Sequence, residues 1–462
     1  MYFSLRTLPA PRPKSFPKGR LKKGLSGLAT CLVLWASPVA NPFSRSAIAQ
    51  QISPELRQQF LADPRTEPLD PILPDLALDR PYSPLELSAI ATRLTQLNQT
   101  AQQQLANGNP DAAFELWQRE VRLRRVFGPV EELNAISRVA TLAWQQQRPV
   151  EVQLLTLRTR EIWETVAAAL NNFEATEQSA EDNRLGDREP EELADNPEQI
   201  LMDGDSASDV AVLLNMAQTF ATLRDIDASV EVYQQLITLT AEQNGDPTAQ
   251  RKELAELHLA WFQFADAADV YLALLSDART KGNQAQETDY LERLVYSYQQ
   301  ADSFTNAVRA QTDLIALYQA QGDVEKLPGL LVAIAQNYRT LNLHKNAIAY
   351  YRSAYSAAQR FDQFSFSAQV LTDLGTLYES LALNTEALGA YNLLVPVEQQ
   401  AYNTYGVMNA YDSLGQLHRR QGNAFEALKA FEKALVLADQ LNLRQDYFIE
   451  QIESVTPPSD AF

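Results

Sequence analysis

The side chains best suited to metal or nucleophilic chemistry are scarce: three histidines (His258, His344, His418) and one cysteine, Cys31, in 462 residues. One cysteine cannot build a disulfide framework or a Cys-ligated zinc or iron–sulfur site. No histidine has a cysteine or second histidine spaced to share an ion. Asp203-Gly204-Asp205, followed by Asp209, carries the oxygen donors calcium prefers. It lacks the twelve-residue frame, internal glycine and closing glutamate of an EF-hand loop. A glycine-rich phosphate loop, a GxSxG elbow, HExxH and CxxC are all missing. Carboxylates are plentiful, but abundance does not set two of them at the separation that acid–base hydrolysis requires. The expectation is a chain with no catalytic residue, cofactor or metal.

Hydrophobic residues make up 45% and charged residues 21%, enough to bury a core along most of the chain. The 16 glycines fall well below the roughly 7% usual in proteins, which excludes collagen-like and glycine-rich low-complexity chains. Net charge is −19 and unevenly placed: residues 1–49 hold eight Lys/Arg and no acid, leaving 31 basic against 58 acidic residues in the rest. A body this acidic repels a phosphate backbone, so nucleic acid and anionic membrane surfaces are not expected partners.

Residues 1–49 read as a signal peptide. Arg6, Arg12, Lys14, Lys18, Arg20, Lys22 and Lys23 precede an apolar run over 25–36. That run suits a signal-peptide core and is shorter than the roughly 20 residues a membrane span needs. Ala47-Ile48-Ala49 offers a small-x-small cleavage site, with an earlier cut near Ala40 as the alternative. Residues 50–84 contain Pro54, Pro64, Pro68, Pro71, Pro74, Pro81 and Pro84, and predict an extended tether, because proline breaks helix interiors. Ser83-Pro84-Leu85-Glu86 has the form of a capping box with proline at the first helical position, and marks where order begins.

From there the sequence repeats. Ala267, Ala307, Ala347, Ala387 and Ala427 stand forty residues apart. A pair precedes each: Leu254-Ala255, Leu294-Val295, Ile334-Ala335, Leu374-Gly375 and Leu414-Gly415, with His258, Tyr298, Tyr338, Tyr378 or His418 three residues on. Tyr271, Gln311, Tyr351, Tyr391 and Phe431 follow the alanines by four. Positions three or four apart share one helical face, and a large residue against a small one lets helices approach closely. Each unit is then a helical hairpin that buries its stripe by stacking on its neighbours. Looser copies lie upstream, at Met216-Ala217 with Tyr233, at Val139-Ala140 with Ala143, and at Ala101 with Ala113 and Trp117. Residues 171–209 hold 13 acids against Arg184 and Arg188 and predict a disordered acidic loop.

The pattern resembles the tetratricopeptide repeat family, most closely at Tyr411-x-x-Leu414-Gly415-x-x-His418 followed by Gly422, Ala427, Phe431 and Ala434. With forty residues per unit, the resemblance is to long-helix variants of the repeat. It implies an all-α fold, a right-handed α-solenoid superhelix of stacked antiparallel helix pairs. The units would fall into degenerate repeats over 85–170, an array of about six over 210–441, and a cap and tail over 442–462. Pro396 is expected to kink or end its helix. The resemblance also implies a concave groove lined by the first helix of each unit, where a peptide or partner helix lies. Mapped onto this chain, the groove positions are Lys252, Glu256, Glu292, Tyr296, Gln299, Gln336, Arg339, Thr376, Glu379, Asp412, Gln416, Arg419 and Arg420. Arg419 and Arg420 would form a basic end able to pair an acidic partner. In that family His258 and His418 fill a packing slot, not a ligand site.

The reading is an exported binding scaffold or assembly factor of the periplasm or thylakoid lumen, with a protein or peptide partner. Its rival is a cytoplasmic or membrane-anchored regulator that keeps its basic N-terminus. Mass spectrometry of the mature chain separates the two: export predicts a first residue near Gln50, and retention of residues 1–49 favours the rival.

Overall fold

A computed structural model of the protein describes residues 52–65, 69–74, 80–182 and 206–456, with the backbone alone at 171–182 and 206–208. The segment 1–49 and the stretch 183–205 of the acidic region, with Asp203-Gly204-Asp205, lie outside the described residues. All described secondary structure is helical. No helix among the described residues is long and apolar enough to cross a membrane.

After α1 (Pro54–Leu61), the helices come in pairs: α2 (Pro84–Ala106) with α3 (Pro110–Arg124), and α4 (Pro129–Gln145) with α5 (Pro149–Asp182). Next are α6 (Ser206–Leu223) with α7 (Ile226–Glu242), and α8 (Thr248–Ala260) with α9 (Phe264–Thr280). Then come α10 (Gln284–Gln300) with α11 (Phe304–Gln321), and α12 (Leu327–Thr340) with α13 (His344–Arg360). The last are α14 (Phe364–Ser380) with α15 (Asn384–Gln400), α16 (Thr404–Arg420) with α17 (Ala424–Leu441), and a single helix α18 (Gln445–Val455). From α2 onward each helix packs on the next, α1 packs on α3 and α5, and α4 also packs directly on α6. The architecture is an α-solenoid of stacked antiparallel helix pairs.

The repeated positions are its core. Ala267, Ala307, Ala347, Ala387 and Ala427 are all fully buried, as are Tyr271, Gln311, Tyr351 and Phe431. Across each pair a small residue of the first helix meets the large residue of the second. A Cβ added at Gly375 would lie 2.3 Å from the Tyr391 ring, and one at Gly415 would lie 2.5 Å from the Phe431 ring. Such distances are far inside van der Waals contact, so glycine is what allows these helices to approach. In the α10–α11 pair the corresponding position of the second helix is the non-aromatic Gln311, whose buried amide oxygen accepts from Asn337 Nδ2 at 2.9 Å.

The turns keep an equally strict rhythm. A left-handed residue recurs every twenty positions: Phe262, Gly282, Asp302, Gly322, Asn342, Asp362, Ala382, Tyr402, Gly422 and Asn442. The residue after it closes a 6→1 bond onto the helix it ends, as Gln263 N to His258 O at 2.9 Å and Asn423 N to His418 O at 2.9 Å. Forty residues are therefore two half-units of helix plus turn. With so few glycines, most of these left-handed positions carry a side chain that costs conformational energy there.

Two boundaries differ from the sequence reading. Part of 50–84 is not an extended tether: α1 is helical because Pro54 occupies its first turn, where no N–H is needed, and Ser53 caps it. The segment is also strapped down. The Arg125 guanidinium donates to the carbonyls of Phe60, Leu61 and Ala62 at 2.7–3.0 Å. Asp70 takes two 2.7 Å bonds from Arg119, and Phe60 and Leu73 are buried. Helix α5 extends to Asp182 and α6 opens at Ser206, so both ends of 171–209 are helical and not loop. The capping box at Ser83 and Glu86 is formed. Helix α15 continues through Pro396 to Gln400 and does not end there.

Two stability tests follow from these contacts. Tyr402 sits at φ 54° and is 95% exposed, so Tyr402→Gly should relieve backbone strain without loss of packing. A gain of about 1 kcal/mol in denaturant unfolding is expected, against a loss of similar size for Gly422→Ala. The second concerns Glu398, a buried carboxylate that accepts from Asn403 Nδ2 at 2.9 Å and leans on Gly406. Burial pushes its pKa above the ordinary carboxylate value, offset in part by Asn403. The fold thus holds the proton more tightly than the unfolded chain, so this group's contribution is present at low pH and lost as pH rises through the folded pKa. Glu398→Gln should raise the unfolding midpoint at pH 8, with the gain shrinking toward pH 4.

Candidate functional site

The first helices α8, α10, α12, α14 and α16 each bury one stripe and leave another open. Along the inner stripe stand Ala255, Val295, Ala335, Gly375 and Gly415, with the second helix pressing closest at the two glycines. One residue on, in the same register, come Glu256, Tyr296, Gln336, Thr376 and Gln416. These are chemically unrelated, and each is half-buried or exposed. A register with Lys252, Glu292, Thr372 and Asp412 runs four residues earlier, and one with Gln299, Arg339, Glu379 and Arg419 three residues later. Spacings of four and three keep these positions on one stripe of each helix.

Tyrosines anchored in the second helices hold the carboxylates of this face. Tyr271 Oη donates to Glu256 at 2.8 Å, and Tyr318 Oη donates to Glu292 at 2.5 Å. Burial, then the carboxylate contact, raises the pKa of both phenols, so they remain donors throughout the physiological range. Tyr391 is raised in the same way by burial and by Glu379, and burial with the nearby charge of Asp373 pushes Tyr351 up to about 12. Charges also link neighbouring units: Arg293 lies 3.3 Å from Glu256, and Lys252 lies 4.0 Å from Asp289. Tyr296 is 48% exposed, with its ring edge-on to Phe264. Gln336 and Arg339 are exposed, as is Thr376, while Gln299 is half-buried beside Asn337.

The C-terminal end of the face is engaged by the chain's own last helix, with Arg419 and Arg420 still exposed. Helix α18 follows the last turn in the place of another first helix and lands on α16. Asp412 accepts from Arg444 at 2.7 Å and from Tyr447 Oη at 3.0 Å. Gln416 donates to Tyr447 Oη and to Gln451 at 2.9 and 3.0 Å. Arg419 donates to Gln451 at 2.9 Å, and Arg420 is paired with Glu379. Asp412, Gln416 and Arg419 are therefore capping contacts, and the open part of the face runs from α8 to α14. Sequence reasoning placed a cap within 442–462 but had no signal for which side chains it meets, because docking depends on tertiary stacking.

Sequence reasoning also missed a cavity of about 410 Å³ beside the α11–α12 connection, lined by Glu292 and Tyr318 among others. Its signal was legible: Leu327-Pro328-Gly329 falls where the twenty-residue rhythm calls for an uninterrupted first turn. Of the histidines, His258 is buried with Nδ1 2.8 Å from Gln263 Oε1, and His344 opens α13. No cluster of metal-ligating side chains occurs among the described residues.

No curated protein matches the sequence. Among solved structures, BtubC (BKLC) from P. vanneervenii is similar at 20% identity, over 46% of this chain and 88% of that one, with a TM-score of 0.33. A signal-transduction ATPase with a tetratricopeptide repeat sensor, from Pyrococcus horikoshii, is similar at 13% identity over 74% of this chain, with a TM-score of 0.36; this chain spans about half of its length (49%). A Rap protein complexed with competence and sporulation factor is similar at 14% identity, over 64% of this chain and 79% of that one, with a TM-score of 0.29. Similarity at this level leaves the functional reading to this chain's own geometry. The family described as "Tetratricopeptide repeat" matches residues 210–243 and 328–361, which are the α6–α7 and α12–α13 pairs, and the chain therefore carries tetratricopeptide repeats.

Proposed function

We propose that this protein is a non-enzymatic scaffold that holds an extended peptide or helix of a partner protein along the first-helix face from α8 to α14. One observation carries the reading. Adjacent registers of the same helices differ in kind: the 255 register holds only Ala, Val and Gly, while the half-buried to exposed 256 register changes chemistry from Glu256 through Tyr296 to Gln336 and Thr376. Variation without packing consequence is what a recognition surface requires. Tyrosine-held carboxylates add pre-organised acceptors, which lower the ordering cost of binding. Tetratricopeptide repeats at two of the pairs support a protein-interaction role. The basic and apolar pattern of residues 1–49 supports work after export, in the periplasm or thylakoid lumen.

Photo-crosslinking from single positions tests the reading. A photoreactive residue at Gln336 or Thr376 should trap a discrete partner in native extracts, while the same group at the exposed second-helix positions Leu393 and Val436 should not. Tyr296→Ala should weaken the captured complex about tenfold, as aromatic hot spots do. Capture from Leu393 and Val436 alone would move the interface to the other face and end the proposal.

A further inference from the structure

One half-unit leaves the twenty-residue frame. After Gly322 a regular helix would begin at Val324, but a 3₁₀ turn occupies Val324–Lys326 and α12 starts only at Leu327, with Pro328 in its first turn. The missing α-helical turn leaves the cavity of about 410 Å³ noted above, at the edge of the first-helix face. Its walls are apolar, from Leu314, Leu330 and Phe366. Gly329 keeps it open: a Cβ there would already touch the Phe366 ring at 3.6 Å, and a longer side chain would fill the space.

Its polar groups are Glu292, Glu325, the Tyr318 phenol and Lys326, so carboxylates outnumber the one cation in the lining. Lys326 Nζ lies 4.8 Å from the Tyr318 ring centroid, so this ring already presents its face to an ammonium group. That lysine is matched by Asp323 at 2.7 Å. Glu292 and Glu325 also line the cavity, and neither forms an ion pair among the described residues. The Tyr318 hydroxyl fixes one oxygen of Glu292 and leaves the other available. An aliphatic or aromatic occupant would strip water from two carboxylates without replacing it, which is costly. A side chain with a methylene stem and a cationic head satisfies walls and carboxylates together.

We infer that this cavity receives a lysine or arginine side chain of the peptide held on the first-helix face, an assignment that rests on the peptide-binding reading above. The test uses the full chain and a phage-displayed library of random twelve-residue peptides. Selected sequences should share a Lys or Arg at one position. Replacing that residue in a synthetic peptide by norleucine, which keeps the stem and removes the charge, should weaken binding about tenfold. With Glu292→Gln/Glu325→Gln protein the difference between the two peptides should vanish, and Gly329→Leu should weaken the basic peptide alone. If the double variant fails to fold, the norleucine comparison on the wild-type chain still reads the charge requirement. Peptides that crosslink to Gln336 but carry no shared basic residue would overturn the cavity assignment and leave the peptide-binding reading standing. If no peptide is selected, both fail.

Discussion

Every level of this structure depends on one contact, a small residue on the first helix of a unit pressed against a large one on the second. At Gly375 and Gly415 the approach is so close that a single methyl group would run into the Tyr391 or Phe431 ring. That contact sets the distance between the paired helices and therefore the spacing at which the next pair stacks. Where the second helix carries Gln311 in place of an aromatic residue, the amide is buried against Asn337. Because cores are close-packed, neither partner can change alone without a cavity or a clash.

The second constraint is the turn. Ten left-handed residues at twenty-residue intervals reverse the chain with the same hydrogen-bond closure each time. Only three of the ten are glycine, so the rest hold a strained backbone that their helices impose. Where the rhythm breaks, at Val324–Lys326, the fold opens a cavity instead of a helical turn. The ends of the array are treated differently from its middle. The N-terminal segment is bound by arginine forks to carbonyls and to Asp70, and the C-terminal end is closed by α18.

These constraints divide the surface from the interior. Positions in the 255 register answer to packing, whereas positions in the 256 register are half-buried or exposed and differ in chemistry from one repeat to the next. The tyrosines that fill the core reach through with their hydroxyls to hold Glu256 and Glu292, so the face is ordered by the same side chains that stabilise the pairs. The N-terminal pairs are dense in buried ion pairs, among them Arg125 and Arg158 on Glu132.

The all-α class, the forty-residue period and the core positions were legible in the sequence, because helical packing repeats its demands at a fixed interval and writes them as Ala, Tyr and Gly. The capping box at Ser83 was legible for the same reason, since a cap is a local motif. The fates of Asp412, Gln416 and Arg419 were not: only stacking brought α18 onto them and removed them from the open face. The same holds for residues 54–61, where proline spacing suggested extended chain and Arg125, some sixty residues away, holds a helix. The cavity beside Tyr318 also belongs to tertiary structure, because four helices must meet before a missing turn becomes a space. Local chemistry speaks through sequence, whereas contacts between distant segments depend on how the pairs stack, and no short pattern encodes that.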